Sequence, residues 1–228
     1  MNSEKNQVKL VETKDGSTTF FSERFQTTYH STDGSVEESM HVFINNGFRY
    51  CLNSVEDKEL HILEIGFGTG LNALLTLMES AKHDVTIHYH TLELYPLWLE
   101  NIEELNFTQK LGAAYDECFK QMHLQEWNTT SEISKGFYLT KILRSVEEYN
   151  ANTKFDLIYF DAFSPKEQPE LWTKSVFSKM YSFLKDKSSL VTYCAQGQMK
   201  RNMKTVGFKL NALQGFGSKR EMTRAERI

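Results

Sequence analysis

"HILEIGFGTGLNALL", residues 61–75, decides the fold. It opens as a mainly apolar run and breaks into glycines at Gly66, Gly68 and Gly70. It then resumes with Leu71, Leu74, Leu75 and Met78 at helical spacing. The pattern predicts a buried strand over 60–66, a tight turn, and a helix beginning at residue 71. In an open α/β sheet that turn lies beyond the carboxyl end of a strand, where ligands bind. Small residues there let something approach the backbone.

Strands and helices alternate from this point outward. Strands are expected at 85–94, 136–145, 154–163 and 188–195, with helices in "YPLWLENIEEL", "QPELWTKSVFSKMYSFLK" and "GQMKRNMKTV". "GFKLNALQ" and "REMTRAE" read as a closing antiparallel pair, and 106–135 is too polar to assign. The order predicts an α/β, Rossmann-like fold with a mainly parallel seven-stranded sheet covered on both faces. Before it, "TTFFSERFQTTYHS" and "SMHVFINNGFRYCL" have strand-like composition, with Asn46-Gly47 as a turn signal. Residues 1–55 are therefore read as a β-rich extension on a domain spanning 56–228, the two forming one compact unit.

Bulk composition excludes several classes. The 228 residues are 40% hydrophobic and 25% charged, enough for a core without staples. Cys51, Cys118 and Cys194 are unpaired in spacing, which argues for a reducing compartment and against a zinc ribbon. No apolar run approaches the ~20 residues of a membrane helix, and "MNSEKNQVKL" has no leader-like apolar stretch. A cytoplasmic protein without membrane contact is expected. The net charge of −4 is uneven: residues 200–228 carry +6 and the rest −10. A basic end on an acidic body suits a polyanion docking at one face; a solvated tail is the plainer reading.

The glycines follow E-x-G-x-G-x-G, from Glu64 to Gly70. The dinucleotide fingerprint G-x-G-x-x-G would need glycine at 71, which is Leu71. A nicotinamide-dependent dehydrogenase is thereby disfavoured. Glu93, 23 residues beyond Gly70, ends the second strand, where a carboxylate can hold ribose hydroxyls. Asp161 ends an apolar strand at the same edge, a costly place for an acid unless it faces a cleft or caps the next segment. His88 and His90 form an H-x-H pair, read as structural for want of a third ligand.

The glycine pattern resembles motif I of class I S-adenosylmethionine-dependent methyltransferases. More specifically, "SERFQTTYHSTDGSVEESMHVFINNG", "EIGFGTGLN", "DAFSPKEQPELWT" and "GFGSKREM" resemble the methyltransferase domain of the MnmC family, nearly along the whole chain. The resemblance implies methyl transfer from S-adenosylmethionine to the amine of 5-aminomethyl-(2-thio)uridine at tRNA wobble position 34, giving 5-methylaminomethyl-(2-thio)uridine. It implies cofactor contacts from Glu64, Gly66, Phe67, Gly68, Thr69, Gly70, Asn72, Glu93 and Asp161, with Tyr29 lining the cofactor or uridine pocket. Where relatives carry Gly-Asp for adenine, this chain has Arg144-Ser145, so either Ser145 makes a weaker contact or adenine is held by other residues.

Asp161 is expected to orient the amine and accept its proton. Phe163 is expected either to wall the pocket or to pack in the core; Met40 is read as core. The basic residues Lys200, Arg201, Lys204, Lys219 and Arg220 are the candidate tRNA contacts. In many relatives this domain is fused to a flavin-dependent oxidoreductase. The chain shows no such segment, so no FAD is expected and a separate enzyme would make the aminomethyl substrate; the transfer itself needs no metal, and none is expected. Two rival functions are an aminopropyltransferase, whose polyamine substrate the basic end would repel, and an inactive tRNA-binding module.

Overall fold

The computed structural model describes residues 7–53 and 58–228. The expected boundary at 55/56 and most of the N-terminal stretch read for a leader lie outside them. Strands β1 (Val8–Glu12), β2 (Thr18–Ser22) and β3 (Thr27–Thr28) form a small antiparallel sheet. The segment expected as a second pair of strands is instead helical: α1 (Ser35–Ser39) runs into a π-helix over Met40–Phe48 and then α2 (Arg49–Leu52). Burial overrides composition here. Val42, Phe43, Ile44 and Phe48 are buried against the main sheet. Asn46-Gly47 is not a turn. A Cβ at Gly47 would stand 3.0 Å from Val191 and 3.1 Å from Tyr159, so glycine lets this helix press on the strands.

The remaining elements are β4 (Glu59–Ile65), α3 (Leu71–Ser80), β5 (Thr86–Glu93), α4 (Leu99–Ile102), α5 (Phe107–Leu111), α6 (Asp116–Leu124), β6 (Thr129–Ser134), β7 (Phe137–Leu143) and β8 (Phe155–Phe160). They are followed by α7 (Lys174–Phe183), β9 (Leu184–Thr192), α8 (Gly197–Thr205), β10 (Lys209–Gln214) and β11 (Glu221–Glu226). The sheet order is β10-β11-β9-β8-β4-β5-β7-β6. Its five central strands are parallel, and β10, β11 and β6 pair antiparallel. The eighth strand, β6, comes from the polar segment left unassigned. It is a partly exposed edge strand with little apolar alternation.

Two predicted helices are shorter than their apolar spacing suggested. Before α4, the N–H groups of Leu94 and Tyr95 donate to the Glu93 carboxylate at 2.8 and 2.7 Å. Tyr95 also precedes Pro96, which disfavours helical backbone. These restraints hold the chain out until Trp98. Before α7, Pro169–Trp172 forms a 3-10 turn, tied down by Trp172 Nε1 donating to the Phe163 carbonyl at 2.8 Å. Thr173 then caps α7, its hydroxyl accepting from the Val176 N–H at 3.3 Å.

Each sheet face has its own core. The π-helix and α3 cover Ile62, Ile87, Tyr89, Leu157 and Tyr159. Helices α7 and α8 cover Leu63, Ile65, Leu92, Ile158 and Phe160. β8 is buried at all six positions. β4 lies between β5 and β8, so the strand order reverses there and a crevice opens beyond the carboxyl ends of β4 and β8.

Candidate active site at the carboxyl edge of the sheet

A cleft of about 490 Å³ occupies that crevice. The loop after β4 forms its floor. Gly66 has φ +93°, and a Cβ there would lie 2.8 Å from the Asp161 carbonyl oxygen. Glycine is thus required for the ends of β4 and β8 to meet. The Gly66 N–H donates to Leu92 O at 2.9 Å, and the Asp161 N–H to Ile65 O at 3.0 Å, so three strand ends are laced together. Gly70 opens α3 at φ +74°, where a Cβ would meet His123 Nε2 at 2.8 Å.

The carboxylates at this edge have different environments. Glu93 lines the cleft and accepts from the Gly68 N–H at 3.0 Å besides those of Leu94 and Tyr95. Burial raises its pKa, and these backbone donors pull it back down. Glu64 does not line the cleft. It is fully buried beneath, accepting from Asn72 Nδ2 at 3.1 Å and Thr91 Oγ1 at 2.8 Å. Burial pushes its carboxyl well above the usual range. It reaches the cleft only through Asn72, which it holds. Gly70 likewise supports the loop without lining the cleft.

Asn72 Nδ2 also donates to Asp161 Oδ2 at 2.8 Å. Burial, reinforced by the Glu38 charge, pushes Asp161 up to about 7, against the pull of Asn72 and Lys219. Asp161 therefore titrates near neutrality, as a proton acceptor at working pH should.

The far half of the cleft gathers residues that the sequence did not single out, Glu38, Tyr193, Glu167 and His30, around Lys219 and Phe163, which it did. Glu38, only 6% exposed, pairs with Lys219 Nζ at 2.5 Å and accepts from the Ser31 N–H at 3.0 Å. Lys219 Nζ lies 4.1 Å from the ring centroid of Tyr193, whose hydroxyl donates to Ala162 O at 2.9 Å. Glu167 accepts from the Ser164 hydroxyl. Phe163 packs between Phe25 and Tyr29, with ring centroids at 4.4 and 5.0 Å, so it walls the cleft. His30 Nε2 lies 2.7 Å from Thr69 Oγ1, and burial lowers its pKa to about 4. Tyr193 had a readable signal, since it follows a parallel strand at the ligand-binding edge. Glu38 had none, because its partner is 181 residues away.

The other predicted residues divide. Phe67, Gly68, Thr69, Asn72, Ser145 and Tyr29 line the cleft, as do Arg144 and Lys219. Met40 packs against the core beside the sheet. Lys219 belongs to the cleft interior. Lys200 pairs with Glu221 at 2.7 Å, and Arg201 bonds Gln198. Lys204 and Arg220 are exposed. Ser218 N–H donates to Asp33 Oδ2 at 3.1 Å, so the "GFGSKREM" loop is held against the N-terminal segment.

The donor set suits S-adenosylmethionine. Asn72 Oδ1 is a buried acceptor with no partner among the described residues, and Asn72 lines the cleft. It can receive an ammonium, and Glu93 can receive hydroxyls. The fold and site define a class I transferase for this cofactor. The sequence model of a family described as S-adenosyl-L-methionine-dependent methyltransferase matches residues 100–228. The chain belongs to that family.

Relatives are more specific. A "tRNA 5-methylaminomethyl-2-thiouridine biosynthesis bifunctional protein MnmC" from Marinomonas sp. (strain MWYL1) is 29% identical over 90% of this chain. Its namesake from Leptospira interrogans is 30% identical over 88%. The chain spans 32% of the length of each of these curated relatives. Among solved structures, MNMC2 from Aquifex aeolicus superposes with a TM-score of 0.80 at 24% identity, covering 98% of this chain and 71% of that one. Spermidine synthase from Thermotoga maritima gives 0.61 at 17%, covering 100% and 72%. At such identities both show the fold alone. Among the described residues no helix is long and apolar enough to cross a membrane.

Proposed function

We propose that the chain methylates the primary amine of 5-aminomethyl-(2-thio)uridine at tRNA position 34. The observation that carries this reading is the placement of Asp161, poised near pH 7, between the glycine loop and a charged, aromatic acceptor half. The names of the curated relatives supply the substrate. When bound, S-adenosylmethionine supplies an activated sulfonium methyl. Asn72, Glu93 and the backbone of Gly66–Thr69 would hold it, and Ser145, which lines the same cleft, would contact adenine.

The chain's own residues handle the amine. Free alkylamines are protonated at neutral pH, yet only the neutral amine is a nucleophile. Asp161 and Glu38 attract the ammonium into the cleft. Asp161 then takes its proton, while the Lys219 cation and burial disfavour the charged amine once inside. Phe163, Tyr29 and Phe25 exclude water from the wall. Positioning of this kind is worth up to ~7–11 kcal/mol in favourable cases. Arg220, Arg201 and Lys204 are assigned to phosphate contacts outside the cleft. A separate activity supplies the aminomethyl group.

The test is incubation of purified protein with methyl-labelled S-adenosylmethionine and tRNA bearing 5-aminomethyluridine, followed by nucleoside analysis. Label in 5-methylaminomethyluridine is expected. Cofactor binding without any labelled nucleoside would leave an inactive binding module and refute the proposal.

A further inference from the structure

At the opposite edge of the sheet lies a group that the reaction does not use. β4 and β5 run parallel with His61 beside His88, and Glu59 precedes His61 by two residues, on the same face. The two imidazoles stack at 4.7 Å and 13°. Tyr138, next in register on β7, stacks on the other side of His88 at 5.2 Å and 13°. The His88 ring is thus held between two neighbours. His88 Nε2 is 2.8 Å from Glu59 Oε1, and His61 Nε2 is 3.6 Å from the same oxygen. One ligand atom from each residue lies within 4.8 Å of the others.

We propose that Glu59, His61 and His88 form a binding site for a divalent transition ion of the zinc class. Donor chemistry is the first argument: two imidazoles and a carboxylate suit Zn²⁺, Co²⁺, Ni²⁺ or Cu²⁺ and not the all-oxygen sites of Ca²⁺ or Mg²⁺. Spacing is the second. Around a tetrahedral ion with bonds of about 2.0–2.1 Å, ligand atoms stand about 3.4 Å apart. The two measured separations from Glu59 fall on either side of that value. Glu59, 58% exposed, is free to adjust, while the two rings are 24% and 29% exposed, partly sheltered yet reachable.

The neighbourhood permits a cation. Asp156 accepts from both the His61 backbone N–H and Lys185 Nζ at 2.9 Å, so the nearby ammonium has a carboxylate partner. His90, next on the face, packs edge-on to Phe155 and is not a ligand. The sequence showed His88 and His90 without a third partner; strand pairing replaces His90 with His61 and adds Glu59. Three protein ligands leave an open position for water. His61 lies about 13 Å before the end of β4, far from the cleft, so the ion would clamp β4 to β5 and take no part in methyl transfer.

The test uses tag-free protein stripped with chelator and titrated with Zn²⁺ against a chromophoric competitor. One ion per chain is expected. His88→Gln and His61→Gln should each weaken binding about tenfold or more, His90→Gln should not, and S-adenosylmethionine affinity should stay unchanged in all three. Equal affinity in wild type and His88→Gln overturns the proposal. So that the outcome does not hang on variants folding, Cu²⁺-loaded wild type should show two equatorial imidazole nitrogens by electron paramagnetic resonance. A spectrum without nitrogen coupling also overturns it.

Discussion

Replacing Asp161 with Asn tests the reaction and the fold together. The change is nearly isosteric and keeps an oxygen for the Asn72 amide, but it removes the proton acceptor. General-base catalysis typically contributes 10²–10⁴-fold, so turnover at pH 8 should fall by about that factor while cofactor affinity holds. In wild type, kcat/KM should rise as pH increases through about 7, where Asp161 ionises. Below that point it should drop by roughly tenfold per pH unit. Stability should move the other way. A carboxyl raised from its ordinary 3.8 to about 7 binds a proton more tightly in the folded chain. Its contribution is full below pH 3.8 and is lost as pH rises through about 7. At pH 8 the ionised acid costs at most about 4 kcal/mol. Because Asp161 faces the cleft, solvation lowers this to roughly 1–2 kcal/mol. Asp161→Asn should therefore melt higher than wild type at pH 8 and show little gain at pH 4. The assays are labelled-methyl transfer at saturating cofactor with tRNA varied from below to above its KM across pH 5.5–9, and calorimetry at pH 4 and pH 8. Turnover within about threefold of wild type would exclude Asp161 as the proton acceptor, and a variant less stable at pH 8 would exclude a carboxyl held above its ordinary pKa by burial.

Glu38→Gln removes a charge that raises the Asp161 pKa, and Lys219→Met removes one that lowers it. The acid limb of the rate profile should move to lower pH in the first and to higher pH in the second. Gly66→Ala places a Cβ 2.8 Å from a backbone carbonyl at φ +93°. It should cost about 2 kcal/mol or more in denaturant melts and abolish cofactor binding by calorimetry. Gly47→Ala pushes the π-helix off Val191 and Tyr159, neither of which has room to yield. Overpacking of about 1–3 kcal/mol should outweigh the roughly 1 kcal/mol gained in helix propensity, giving a lower melting temperature. Lys204→Ala combined with Arg220→Ala should weaken tRNA binding and flatten its salt dependence in filter-binding assays, leaving cofactor affinity unchanged.

Much of the fold is local enough to read. Strand β4, its glycine break and α3 depend on an apolar run, small residues and helical spacing, all within 21 residues (60–80), and α3 begins at Leu71 as read. Asp161 and Glu93 were legible for the same reason: an acid directly after an apolar strand has few places to go but the ligand-binding edge. Composition failed over 35–52. β-branched and aromatic residues favour strands only when a partner strand is present, and here the sheet face offered a surface for a helix instead. β6 was illegible because a partly exposed edge strand needs no apolar alternation.

The primary sequence by itself determined the parallel α/β order, the cofactor loop, and the acids at the ends of β5 and β8. Which charges share the cleft follows from chain packing alone. Glu38 and Lys219 lie at opposite ends of the chain and meet because α1 and the β10–β11 loop converge on one edge. In the same way Glu59, His61 and His88 become neighbours through the register of β4 and β5. Electrostatic and metal-ligand interactions act over a few ångströms whatever the distance along the chain, so they are settled by packing.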